Sequence, residues 1–111
     1  MKEMPQLPLI KLPKYLAGRN LVMIFSADWC PDCAVLKPVL PWLEKDFPQW
    51  EFQIVDVDTH RELIKQLEIF GIPSLVAFQS GTEVGQLVNK ERKSLNELEQ
   101  FMAQLPTVDV K

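Results

Sequence analysis

The sequence predicts an α/β fold with a central mixed β-sheet, mostly parallel in its core, an antiparallel C-terminal hairpin, and helices on both faces. Three observations lead to this prediction. An unbroken apolar run at residues 21–25 has the length of a strand that is buried on both faces. Strand and helix patterns then alternate in the order β-α-β-α-β-β-α. Near the C-terminal end, two strand patterns are separated by only four residues, which is typical of a hairpin.

The first half of the chain is predicted to contain a lead-in, a buried strand and a long helix. The first 20 residues hold three prolines and little periodicity, so we expect an irregular lead-in with one short helix near residues 13–17. After the strand at 21–25, apolar residues recur every three or four positions from residue 31 to about 47, which predicts one amphipathic helix. Because Pro38 and Pro41 interrupt this pattern, we expect a kink near residues 34–38.

The second half continues the alternation. Residues 51–57 alternate between polar and apolar side chains and are rich in β-branched and aromatic residues, which predicts a second strand. Thr59 and Glu62 fit a capping box at the start of a helix that should end near Gly71. Strands are then expected at 74–78 and 83–88, on either side of a Gln-Ser-Gly-Thr turn.

The last predicted element is a helix that begins at a second capping box. Ser94 and Glu97 form this box, an apolar stripe follows it, and Pro106 ends the pattern. We therefore expect a single domain over residues 1–111, with a lead-in at 1–20 and a core at 21–105.

Composition favours a soluble, cytoplasmic monomer. The chain has 47% hydrophobic residues, which is enough to bury a core. Its net charge of −3 comes from 12 basic and 15 acidic residues that are scattered, so we expect neither nucleic acid nor membrane as a partner. No apolar run approaches the roughly 18 residues of a membrane span, and Glu3 and Pro5 lie where a secretory signal would be apolar.

The two cysteines, Cys30 and Cys33, lie three positions apart at the start of a predicted helix. At this spacing the sulfurs can approach to bonding distance and cycle between dithiol and disulfide. A secreted domain stapled by disulfides would usually spread more cysteines along the chain. Unpaired N–H groups at a helix N-terminus stabilise an anion, which favours the thiolate of Cys30. We predict that Cys30 attacks substrate disulfides and that the less exposed Cys33 resolves the mixed disulfide.

A Cys-x-x-Cys pair also supplies half of a zinc site. A structural zinc takes about four Cys or His ligands, whereas this chain has two cysteines and one histidine, His60. We therefore expect no metal, and no cofactor beyond the redox-active disulfide Cys30-Cys33. His60 is expected to be an exposed polar residue without a functional role.

Two segments resemble the thioredoxin family over residues 20–105. They are Ala-Asp-Trp-Cys-Pro-Asp-Cys at 27–33, directly after the buried strand, and Gly-Ile-Pro-Ser at 71–74. In that family a tryptophan precedes the first cysteine, a proline kinks the helix five residues after the second, and a cis-proline opens the strand that faces the disulfide. Trp29, Pro38 and Pro73 stand at these positions.

The resemblance implies a thioredoxin fold, a cis Ile72-Pro73 bond and a protein-disulfide reductase that serves electron transport and cell redox homeostasis. It implies protein disulfides as substrates and a thioredoxin reductase as a partner. It also implies that Ile72 and Pro73 offer backbone groups to a substrate peptide, and we group Trp29, Pro31 and Asp32 with them as substrate-binding candidates. The alternative is a redox-sensing or partner-binding module that has no catalytic turnover.

The segment between the cysteines departs from the family pattern. Thioredoxins typically carry Gly-Pro there, and this chain carries Pro31 and Asp32. This variant resembles thioredoxin-related proteins with narrower substrate ranges, so the resemblance leaves the choice of substrate open.

A second departure lies in the predicted core. The family has a buried aspartate six residues before the first cysteine and a lysine partner on the neighbouring strand, and these positions are Ile24 and Ile54 here. Replacing both members of a buried ion pair by apolar residues can be neutral or stabilising. We therefore expect a folded protein with altered proton transfer, in which water or one of three exposed carboxylates takes the proton of the resolving thiol; the three are Asp28, Asp32 and Asp58.

Overall fold

We describe the protein from a computed structural model, which covers residues 1–89, 91 and 93–106. Ten helices and strands lie within these residues: β1 (Lys2–Glu3), α1 (Leu12–Leu16), β2 (Asn20–Ser26), α2 (Pro31–Leu36), α3 (Leu40–Asp46), β3 (Glu51–Asp56), α4 (Arg61–Gln66), β4 (Ser74–Gln79), β5 (Thr82–Leu87) and α5 (Leu95–Ala103). Short 3-10 turns at Leu9–Lys11 and Lys37–Val39 lead into α1 and join α2 to α3.

The strands form one mixed sheet in the order β1-β3-β2-β4-β5. β1, β3 and β2 run parallel, and β4 is antiparallel to both β2 and β5. This arrangement confirms the predicted parallel core and antiparallel C-terminal hairpin. The hairpin turns at Ser80 and Gly81, whose φ angles of 47° and 88° are the positive values that a two-residue hairpin turn requires.

Two apolar clusters, one on each face of the sheet, hold the fold together. Strand β2 contributes Val22 and Ile24 to one face and Leu21, Met23 and Phe25 to the other, as the two-residue period of a strand dictates. The first cluster packs against α2, α3 and α5, and the second packs against α1 and α4. The prediction of helices on both faces is therefore confirmed.

The helix predicted over residues 31–47 is two helices. α2 ends at Leu36, a 3-10 turn containing Pro38 follows, and α3 begins at Leu40. The break lies at the predicted kink, because Pro38 lacks the N–H that would continue the ladder of α2. Pro41 lies in the first turn of α3, where a missing N–H costs nothing.

Two other predictions about local structure are wrong. The N-cap of α4 is His60 rather than Thr59, whose hydroxyl instead donates to the carbonyl oxygen of Asp56 at 3.3 Å. The helix ends at Gln66 rather than near Gly71, and Glu68, two residues after its end, has a positive φ of 55°. By contrast, the predicted Ser94 cap is present, since the N–H of Glu97 donates to Ser94 Oγ at 3.2 Å.

The first 20 residues are more regular than expected. The predicted short helix is present as α1, but β1 was not predicted. This strand pairs Lys2 with Gln53 and Glu3 with Ile54 at the edge of the sheet. A strand of two residues is too short to give a periodic signal in the sequence.

Candidate active site

The first turn of α2 brings the two cysteines together. Cys30 is the N-cap residue of the helix, and its sulfur accepts a hydrogen bond from the backbone N–H of Cys33 at 3.2 Å. Pro31 follows at the first helical position, where its missing N–H would be unpaired in any case. Both cysteines are thiols, so this is the dithiol form of the pair.

The predicted difference in exposure between the two cysteines is not found. Cys30 is 6% exposed and Cys33 is 5% exposed. Both pack in a small cluster with Ala27, and the half-buried side chains of Val57 and Ile72 cover this cluster. The two loops that carry Val57 and Ile72 therefore shield the outer thiol as well as the inner one.

The protein holds the proton of the Cys33 thiol more tightly than water does. The pKa of the Cys33 thiol is raised from 9.0 to about 11, chiefly by burial and next by the hydrogen bond with Cys30. The backbone of Ala27 and the hydroxyl of Ser26 act in the opposite direction, because they stabilise the thiolate. Cys33 is therefore protonated at neutral pH and must lose its proton before it can attack a disulfide.

The loop before β4 faces the cysteines. The Ile72-Pro73 bond is cis, which confirms the prediction made from the resemblance. The hydroxyl of Ser74 donates to the carbonyl oxygen of Gly71 and closes the loop. Pro73 is fully buried, whereas Ile72 is half-buried and contacts the cysteine cluster. The structure thus places both predicted substrate-loop residues beside the thiols.

Exposed aromatic side chains lie on both segments that carry the site. Trp29 is 64% exposed, and its indole N–H donates to Asp58 Oδ2 at 2.9 Å, which fixes the ring next to the first cysteine. Phe70, two residues before Ile72, is 65% exposed and was not singled out from the sequence. Of the two residues between the cysteines, Pro31 is exposed and Asp32 is half-buried.

A cavity of about 140 Å³ lies behind Cys33, between α2 and the sheet. Ile24 and Ile54 face each other in the register of β2 and β3 and line this cavity, so the two positions are apolar neighbours as predicted. Five polar or charged side chains also line it: Glu3, Ser26, Asp28, Lys37 and Asp56. Of these five, only Asp28 was expected near the cysteine motif from the sequence.

Lys93 is a charged residue near the site that the sequence did not reveal. It is 4% exposed, and its ammonium group donates to Asn89 Oδ1 at 2.8 Å and to the carbonyl oxygen of Glu91 at 2.7 Å. Burial lowers the pKa of Lys93, and four negative or ionisable neighbours oppose this effect, namely Glu97, Glu91, Cys33 and Asp32. No periodic pattern in the sequence marks a lysine in a loop as buried.

His60 is not the exposed residue that was expected. It is half-buried, and its ring nitrogens lie 3.0 Å from the carbonyl oxygen of Asp56 and 3.3 Å from that of Pro5. The ring therefore bridges the end of β3 and the N-terminal segment.

Within residues 1–89, 91 and 93–106, two structural features bear on other kinds of function. No three or more His, Cys, Asp or Glu side chains lie close enough together to hold a metal ion. No helix there has the length and apolar character needed to cross a bilayer.

Comparisons with known proteins agree with this geometry. Residues 4–104 match the family model described as Thioredoxin. A thioredoxin of Oryctolagus cuniculus is 36% identical over 87 residues, which are 74% of this chain and 83% of the relative. The solved thioredoxin of Fasciola hepatica superposes with a TM-score of 0.71 at 28% identity, over 88% of this chain and 91% of that one. Mitochondrial thioredoxin 3 of Saccharomyces cerevisiae gives 0.74 at 26% identity, over 87% and 90%. The fold is the thioredoxin fold, as predicted.

Proposed function

We propose that this chain, which belongs to the thioredoxin family, reduces protein disulfides by dithiol-disulfide exchange through Cys30 and Cys33. The observation that carries the proposal is the position of the Cys30 sulfur at the N-terminus of α2, where it accepts the N–H of Cys33. An anion at this position is stabilised by the N–H groups and the dipole of the helix.

The exchange takes place in two steps. The Cys30 thiolate attacks one sulfur of the substrate disulfide, and the other substrate sulfur leaves as a thiolate. Cys33 then loses its proton and attacks the Cys30 sulfur of the mixed disulfide, which releases the second substrate sulfur. The substrate gains two electrons, and the protein is left with a disulfide between Cys30 and Cys33.

Substrate binding is assigned to the surface around the Cys30 sulfur. The loop at Ile72 and Pro73 lies beside the thiols and offers backbone groups to an extended segment of the substrate. The indole ring of Trp29 is exposed and held by Asp58, so it presents a rigid apolar face. Pro31 and Asp32 complete the rim of the site, and the carboxylate of Asp32 disfavours acidic residues next to the substrate disulfide.

Repeated turnover needs a donor that returns both cysteines to thiols. The proposal therefore includes a thioredoxin reductase as the electron donor and the cytoplasm as the compartment, because disulfides of cytosolic proteins are kept reduced there. It also includes action as a monomer, since one chain supplies both thiols and the substrate loop.

The test is reduction of insulin disulfides with dithiothreitol as the electron donor, followed by the turbidity of the released chains. The wild-type protein should accelerate the reaction, and Cys30→Ser should abolish the acceleration. Cys33→Ser should lose turnover and accumulate a mixed disulfide that intact-mass measurement detects. Ala103→Ser, an exposed substitution of comparable size on α5, serves as the control for folding and should behave as wild type.

The same assay separates the proposal from a redox sensor or a partner-binding module. A module without turnover would form the disulfide between Cys30 and Cys33 once and give no acceleration over dithiothreitol alone. That result, obtained with a folded protein, would contradict the proposed catalytic function.

A further inference from the structure

The side chains at the carboxyl ends of β2 and β3 form a polar row close to Cys33. In the register of these parallel strands, Ile24 is paired with Ile54, and two residues further along Ser26 is paired with Asp56. Because side chains alternate in strands, both pairs lie on the same face of the sheet, the face that α2 covers. Two residues span about 7 Å, so the polar row is displaced by that distance from the apolar one.

The cavity behind α2 connects this polar row with the resolving thiol. Ser26, Asp56 and Cys33 all line it. Its volume of about 140 Å³ exceeds the roughly 30 Å³ that one water occupies in the liquid, and its hydroxyl and carboxylate groups supply partners for water. The cavity therefore has room for water that links these three side chains.

The Asp56 carboxylate is held in a fixed orientation. Its Oδ1 atom accepts the backbone N–H of Asp58 at 2.8 Å. Its Oδ2 atom has no hydrogen-bond partner within residues 1–89, 91 and 93–106, so one oxygen is available to accept a proton. The Ser26 hydroxyl interacts with Cys33 and stabilises its thiolate, which lowers the pKa of that thiol against the larger effect of burial.

From this arrangement we propose that Ser26 and Asp56 form a proton relay for Cys33, a proposal that rests on the thiol-disulfide exchange proposed above. As Cys33 attacks the Cys30 sulfur of the mixed disulfide, its proton moves to the Ser26 oxygen while the Ser26 hydroxyl proton moves to Asp56 Oδ2. One sulfur-sulfur bond forms, the bond to the substrate sulfur breaks, and the leaving thiolate carries the electron pair. Asp56 then returns the proton to that thiolate or to solvent.

Other charged or titratable groups surround Cys33, but none shares this position. Glu3 lines the same cavity from β1, but it is exposed and stands beside Ile54 in the apolar row, away from Ser26. The remaining ones are Cys30 and Asp32 on the same helical turn, Lys37 and Asp28 at the cavity wall, and Lys93 on the loop before α5. Asp56 is the carboxylate that lies opposite Ser26 in the register of the strands, and Ser26 stabilises the Cys33 thiolate.

The experiment resolves the two exchange steps in time. Reduced protein is mixed in a stopped-flow instrument with an equimolar aryl disulfide whose thiol is coloured. Attack by Cys30 releases the first equivalent of colour, and resolution by Cys33 releases the second. Asp56→Asn and Ser26→Ala should each slow the second phase by about 100-fold at neutral pH, the lower end of what a positioned proton acceptor contributes, and leave the first phase unchanged.

The pH profile and the double variant test whether the two residues act in series. The second phase of Asp56→Asn should rise in proportion to hydroxide up to the pKa of Cys33 near 11, whereas wild type should level off at lower pH. Ser26→Ala combined with Asp56→Asn should be no slower than the slower single variant. Asp56→Glu, which keeps the carboxylate, should recover most of the rate and shows that any loss in Asp56→Asn is not a folding defect.

Glu3→Gln is the matched control, because it neutralises a different carboxylate, one on β1 that lines the same cavity. The second phase of this variant should match that of wild type. The proposal is overturned if Glu3→Gln and Asp56→Asn slow resolution equally, or if Asp56→Asn speeds it, as the removal of a mere negative charge near a thiolate would. A wild-type protein that releases only the first equivalent would instead contradict the proposed function itself.

Discussion

The raised pKa of Cys33 predicts that the reduced protein loses stability between pH 9 and pH 11. The thiol titrates at 9.0 when it is unburied and at about 11 in the folded protein. The folded state therefore holds the Cys33 proton more tightly than the unfolded state does. This contribution to stability is fully present below pH 9 and is lost as pH rises through the folded pKa.

The size of the effect follows from the same two values. A tenfold change in proton affinity corresponds to about 1.36 kcal/mol, so a rise from 9.0 to about 11 corresponds to about 2 to 3 kcal/mol. Domains are stable by about 5 to 15 kcal/mol, so a change of this size is measurable in a single unfolding curve. Cys33 is 5% exposed, and solvent screening therefore leaves most of the effect in place.

Urea unfolding of the reduced protein at a series of pH values measures this loss of stability. Wild type and Cys33→Ala are compared, because lysines and tyrosine titrate in both proteins and cancel in the difference. The stability difference between the two should be constant below pH 9 and should fall by about 2 to 3 kcal/mol by pH 11 and above.

Comparing Cys30→Ala with the double variant Cys30→Ala/Cys33→Ala separates the contribution of burial to the raised pKa of Cys33 from that of the Cys30 sulfur. Since burial is the largest cause of the raised pKa, most of the fall should remain there. A flat difference across pH 9 to 11 in both backgrounds would refute the reasoning. It would also remove the need for a proton acceptor beside Cys33.

Three further predictions concern the same region. Iodoacetamide at neutral pH should label Cys30 and spare the protonated Cys33, as peptide mass spectrometry would show, and preferential labelling of Cys33 would reverse the assigned roles. Ile24→Asp should lower the free energy of unfolding by about 3 to 5 kcal/mol, because it buries an unpaired charge, and Ile54→Lys should restore part of the loss; additive losses in urea unfolding would contradict pairing across the two strands. Lys93→Met should slow only the second phase of the aryl disulfide reaction, severalfold, because it removes a positive charge that favours the Cys33 thiolate; an unchanged rate would show that this charge does not act on the thiol.

The sequence predicts features that depend on periodicity and misses those that depend on a single contact. The apolar run of β2 and the two strands of the hairpin extend over several residues, and the structure contains both. β1 has two residues and exists only because it pairs with β3. Likewise the N-cap position of α4 is His60, whose side chain makes no capping hydrogen bond, and the Thr59 hydroxyl instead donates to the carbonyl oxygen of Asp56.

The candidate site shows the same division. Cys30, Cys33 and the cis bond before Pro73 follow from local motifs and a family resemblance. The burial of Lys93 and the approach of Asp56 to Cys33 depend on how α2 and its neighbouring loops cover the sheet, which no local pattern encodes.

The replacement of the family's buried ion pair by Ile24 and Ile54 changes where a charge can be held. A charge at position 24, where Ile24 is 1% exposed, would carry the desolvation cost of a buried ion. One row further along, Ser26 and Asp56 are both half-buried, so a carboxylate there keeps part of its hydration and is fixed by the N–H of Asp58. The apolar row thus favours the stability of the sheet, and the polar row keeps an acceptor within reach of Cys33. On this argument, the two isoleucines move the proton acceptor from the core to the ends of the strands.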